Sequence, residues 1–228
     1  MSGWVNFALA YAAFFASHAI PAAPRIKGAL KARLGRAGYG AAFSLLSMAV
    51  LVWLIAAAGQ APWLPLWDQT PAMRWVANIV MPLAVALAVF AAGAPNPLSF
   101  GGRAAGFDPA QPGIAGLVRH PLLWALLLWS AAHLLVNGDL AHVILFGSFA
   151  GFCIAAMPML DARRRRELGP AGWQRLAARS PALPFAALLS GRWRPRSAPP
   201  LWRAGLAVAV WAALLAAHPH VIGVSPLP

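Results

Sequence analysis

Residues 119–139, RHPLLWALLLWSAAHLLVNGD, decide the fold. The stretch opens on Arg119, His120 and Pro121, runs apolar for about one membrane thickness, and closes on Asn137, Gly138 and Asp139. His133 sits inside the apolar run. An ionisable side chain at membrane depth is costly and by default marks a functional site. The stretch therefore reads as one wall of a histidine-lined site inside a bundle of membrane helices.

The rest of the chain agrees with that reading. Hydrophobic residues are 61% of the 228 and charged residues only 10%, where a soluble domain carries about 25% charge and about 45–50% apolar residues. So few charges cannot cover a water-facing surface. Besides 116–136, the stretches 3–22, 38–58, 73–94, 140–160 and 201–218 are long and apolar enough to span. The expected fold is all-α: a polytopic integral membrane helix bundle of about six transmembrane helices, forming a single domain over residues 1–228.

Of the 18 Lys and Arg, 17 fall in the first, third and fifth segments between spans. The positive-inside rule puts those segments in the cytoplasm and both termini outside. A net charge of +13 would suggest nucleic acid in a soluble protein. Here orientation and anionic membrane lipids account for it, and no nucleic-acid partner is expected. The single cysteine, Cys153, excludes an intrachain disulfide and a thiolate metal cluster. The first apolar stretch lacks a positive n-region and is expected to remain as a helix.

Local patterns fill in the bundle. In the first span Tyr11, Phe14, Phe15 and His18 share one helical face. Arg25 is the first cation of PRIKGALKARLGRAGYG, whose alternation suits an interfacial helix. Asn78 reads as interhelical glue. The segment GGRAAG, 101–106, has no strand before it, so a dinucleotide loop is excluded. Its Gly- and Pro-rich surroundings have the length of a loop that folds back as a lid. Asn137 and Gly138 favour a positive-φ turn, after which Asp139 caps the next helix. Gly147 and Gly151, four apart, suit close approach by a neighbouring helix. The piece 182–190 is too short to span, hence interfacial or re-entrant.

Five of the six histidines, His18, His120, His133, His142 and His218, lie in or at the ends of spans. Neutral imidazole ligates iron well, and two imidazoles hold a haem without thiolates. A single histidine at a helix end is ordinarily a cap or an anchor. His18 and His133 stand apart because each lies on an aromatic-bearing face, with Trp129, His133 and Asn137 in register at four-residue spacing. His120 and His133 are about 20 Å apart along a straight helix. A haem joining His18 to His133 therefore needs ligation from above and below, or a first helix set deeper in the membrane.

Taken together these residues resemble the NnrU family of bacterial membrane proteins, linked to denitrification, whose domain is shared with the plant and cyanobacterial 15-cis-zeta-carotene isomerase. The resemblance covers nearly the whole chain. It runs from His18 and Arg25 through LGRAGYGAAFSLLS and RHPLLWALLLWSAAHLLVNGD, then RRRELGPAGWQRL and SPALPFAALLSGR, to the AHP of 217–219. It implies a bacterial inner-membrane protein, with periplasmic termini, that binds haem b through histidines. The two iron-ligand positions correspond to His18 and His133, and His120 corresponds to the histidine of the family's RHP motif. Arg25, Arg119, Trp129, Asn137 and His142 complete the expected cofactor surroundings. The implied chemistry is redox-dependent cis–trans isomerisation of a polyene, a hydrophobic substrate with direct access from the bilayer. HLLVNGD is written as in the bacterial branch, for which haem is the firmer implication.

Two competitors belong to other classes. Arg119-His120-Pro121 at a helix start, followed by Glu167, Gly169, Trp173 and Arg175, resembles the membrane methyltransferases that hold S-adenosylmethionine for isoprenylcysteine or phospholipid substrates. A non-enzymatic haem sensor or assembly factor is the third reading.

Overall fold

The computed structural model describes residues 3–100 and 102–228. Among them are eight helices and no β-strand: α1 (Gly3–Ala22), α2 (Pro24–Gly59), α3 (Pro71–Ala91), α4 (Ile114–Leu117), α5 (Pro121–Val136), α6 (Leu140–Ala177), α7 (Ala186–Leu189) and α8 (Leu201–Val221). Five of them, α1, α2, α3, α6 and α8, are long and apolar enough to cross a membrane. Leu45, Ile79, Phe152 and Met159 stand exposed on these helices. Lipid tails solvate such side chains where water does not.

Where the sequence predicts a span over 116–136, α5 is a helix of 16 residues, about 24 Å long against a hydrocarbon core of about 30 Å. The missing length is at its start. Proline disfavours helical backbone in the residue before it, and His120 lies at φ −115°, ψ 64°. Val118 is extended, and the Arg119 amide donates to Pro181 O at 2.7 Å. Residues 114–117 fold separately as α4.

The two long helices are each broken at a glycine. Gly35 in α2 (φ 72°) and Gly169 in α6 (φ 68°) take a left-handed conformation that costs glycine little. The basic stretch before Gly35 is thus its own helix, as expected for an interfacial segment, and Pro170 starts the last piece of α6. The 182–190 piece contains only the single turn α7, which packs against α4.

The chain forms two compact units, residues 3–68 with 138–145, and residues 69–137 with 146–228. In the first, α1 packs along α2. Asn6 bonds both Gln60 and the Trp53 indole, and the Tyr39 hydroxyl donates to Pro21 O. In the second, α3 packs on α5 and α8. Thr70 caps α3, and Arg203 donates to the Val89 and Phe90 carbonyls at its far end, where a cation is favoured. Asn78 donates to Arg74 O and Pro226 O. It ties α3 to the tail after α8, not to another helix.

Two local expectations are corrected. Gly138 is not among the positive-φ residues. It is small because a Cβ there would strike the Trp67 carbonyl. A Cβ on Gly147 or Gly151 would meet nothing within 4 Å, so no neighbouring helix approaches them among the described residues. Gly101, in the GGRAAG segment, lies outside the described residues.

Candidate functional site

His18 and His133 carry the same local device. His18 Nδ1 is 2.7 Å from Phe14 O, and His133 Nδ1 is 2.8 Å from Trp129 O. A carbonyl only accepts, so Nδ1 holds the proton in each ring and Nε2 holds the lone pair. The helix supplies this bond because residues four apart lie on one face. Each ring also packs on aromatics. Phe14 (4.3 Å) and Phe43 (5.6 Å) flank His18. Trp129 (5.2 Å) and Phe146 (5.0 Å) flank His133. Asn137 Nδ2 donates to His133 O, so the register of Trp129, His133 and Asn137 is realised. His18 belongs to the first unit and His133 to the second.

Asp139 caps α6 as predicted, accepting from the His142 amide. Its second oxygen is 2.7 Å from His142 Nδ1, which fixes the same tautomer in that ring. His218 Nδ1 donates to Val224 O on an exposed face. Arg25 is exposed on the first turn of α2, and its side chain makes no hydrogen bond or ion pair among the described residues.

A different arrangement surrounds His120, in the second unit. The ring is 0% exposed, and Nε2 lies 2.9 Å from Asp161 Oδ1. Asp161 Oδ2 accepts from Arg119. Arg119 Nε donates to Ser180 O at 2.9 Å, and the Arg119 carbonyl accepts from Asn96. Burial lowers the Arg119 pKa from its ordinary value, and the Asp161 charge opposes that shift. The carboxylate acceptor puts the His120 proton on Nε2. Nδ1 is left buried without a partner among the described residues. Beside the cluster, the Trp173 indole lies 4.8 Å from both the Arg119 and the Arg165 guanidinium. These residues and Gln174 line an open cavity of about 540 Å³. Such a wall can hold a ligand that carries an anionic group next to a flat ring.

Sequence reading missed Asp161. It appears there only as the first residue of a basic segment, and its partners Arg119 and His120 are distant in the chain. Asn96 and Ser180 carry no signal, since each acts through one bond to the Arg119 residue. Among the described residues no three His, Cys, Asp or Glu gather into a metal shell. A porphyrin-held iron asks less of the protein, namely one or two axial side chains, and a neutral imidazole with its lone pair on Nε2 fits that need.

A family model described as "NnrU protein" matches residues 6–226. No curated protein and no solved structure matches the chain.

Proposed function

The chain belongs to the NnrU family, and on that premise we propose that it is a haem b protein of the bacterial inner membrane whose axial ligands are His18 and His133. One observation carries this reading. Both rings give their Nδ1 proton to a carbonyl of their own helix, which orients the ring and leaves the lone pair on Nε2. Iron accepts that tautomer. The aromatic neighbours Phe14, Phe43, Trp129 and Phe146 supply flat apolar surface for a porphyrin. Bound haem would supply an iron centre able to change redox state and exchange a ligand. The chain's own part is to orient the imidazoles and exclude water. A long polyene entering from the bilayer is the substrate class that suits such a site, with cis–trans isomerisation as the reaction.

The test is the absorption spectrum of the protein purified in detergent from cells supplied with haem precursor. A Soret band with low-spin features is expected. Those features should vanish in His18→Ala and in His133→Ala and persist in His218→Ala. A colourless wild-type protein, or an unchanged spectrum in either ligand variant, would remove the assignment. A haem-bearing protein that leaves tri-cis-zeta-carotene unaltered after reduction would be a sensor or an assembly factor linked to denitrification.

A specific observation favours the methyltransferase as second reading. Arg119 and His120 both meet Asp161 of α6, and Arg119 lines a cavity together with Trp173 and Gln174 of the same helix. Retention of S-adenosylmethionine by a colourless protein would select it.

A further inference from the structure

Residues 191–196 run Gly-Arg-Trp-Arg-Pro-Arg. Arg192, Arg194 and Arg196 join Arg179 around a second cavity of about 380 Å³ in the same unit. All four arginines are exposed, and none is ion-paired among the described residues. No carboxylate is among the residues that line the cavity, and Asp108, two residues before the lining Ala110, accepts from the Ala110 amide.

This loop is held in place by its centre. Trp193 is buried, its amide donates to Ala187 O, and its ring lies so close over Gly116 that a Cβ there would be about 2.6 Å from it. The Arg196 amide donates to Gln111, and Arg192 donates to Ser190 Oγ and Ala178 O. Pro195 stiffens the step between. The fold therefore fixes the backbone that carries three guanidinium groups and sets them beside a fourth, with no acid among the described residues of the cavity wall. Like charges so placed repel one another. A bound anion removes that cost, and guanidinium groups match phosphate oxygens two at a time.

We propose that the cavity walled by Arg179, Arg192, Arg194 and Arg196 binds a phosphate anion, the acidic phosphodiester of a phospholipid headgroup or a free phosphate. The loop precedes the apolar helix α8, and on the cytoplasmic side, where the positive-inside rule puts it, basic pockets take such headgroups.

The full chain in detergent is tested by native mass spectrometry against phosphatidylglycerol, phosphatidylcholine and inorganic phosphate. Phosphatidylcholine carries the same phosphate beside its own ammonium. Wild type should prefer phosphatidylglycerol to phosphatidylcholine, and Arg194→Gln/Arg196→Gln should bind phosphatidylglycerol about tenfold more weakly. The charge-matched Lys31→Gln/Arg33→Gln, in the other basic segment, should stay within about twofold of wild type. Inorganic phosphate binding that the loop variant loses, without a lipid preference, would assign the site to a free phosphate. If the loop variant binds every probe as wild type does, or the control loses as much, the site does not exist. Arg33, Arg194 and Arg196 are exposed and Lys31 is half-buried, and matching thermal midpoints will show that both variants fold.

Discussion

Replacing Asp161 by alanine is expected to lower the midpoint of thermal unfolding by roughly 10 °C. The carboxylate answers two buried groups at once, Arg119 and His120 Nε2. Side-chain exposure is 10% for Arg119, 0% for His120 and 15% for Asp161, so water replaces little of what is removed. Arginine does not discharge. Alanine would leave its cation stranded, and breaking a buried pair from one side costs about 3–5 kcal/mol. Asp161→Asn keeps the shape and one acceptor but not the charge, and should fall between. The double variant Arg119→Leu/Asp161→Leu should lose less than Asp161→Ala, because it takes away both charges together. A midpoint for Asp161→Ala within about 2 °C of wild type would mean that the cluster holds nothing together.

The same variant separates scaffold from site. If His120 serves to fix the start of α5, Asp161→Ala protein kept cold enough to stay folded should retain the spectrum assigned to His18 and His133. If His120 takes part in ligation through its unpartnered Nδ1, turning the ring free of Asp161 should alter that spectrum while His18 and His133 are intact. Structural damage alone predicts a shifted melting curve with an unshifted absorption maximum.

What was legible in the chain follows from the range of the interaction. The aromatic face of α1, the register from Trp129 to Asn137 and the Asp139 cap each depend on residues three or four apart, and each is present. The late start of α5 was visible in Pro121, but an apolar count reads through it. Asp161 was illegible because an acid after a membrane run looks like any solvated residue. Only folding brings it under Arg119 and His120. Gly147 and Gly151 show the reverse error. Spacing says that a helix can approach them, and only packing says whether one does. Trp193 against Gly116 belongs to the same class, a contact between residues that no local pattern relates.

Gly138→Ala is expected to cost about 3 kcal/mol, at the upper end for forcing one methyl into packed surroundings. The added Cβ would overlap the Trp67 carbonyl oxygen and lie 2.9 Å from the Trp67 carbonyl carbon and Cδ1. Most of that is backbone, which cannot rotate aside as a side chain does. It is also pinned, since the Leu66 and Trp67 amides both donate to Gly138 O and the Leu140 amide donates to Leu64 O. Parting these two segments would disturb Asp139 next in the chain, and with it the cap of α6 and the bond to His142. Gly147→Ala, in the open face of α6, should instead gain up to about 1 kcal/mol of helix propensity. The two alanines thus shift the thermal midpoint in opposite directions. Asparagine distinguishes the cause, because it tolerates left-handed backbone almost as glycine does. Were Gly138 needed for its φ, Gly138→Asn would be mild. Since the backbone there is not left-handed and the obstacle is the Trp67 carbonyl, Gly138→Asn should be at least as damaging as Gly138→Ala, and a stable asparagine variant would refute the steric account.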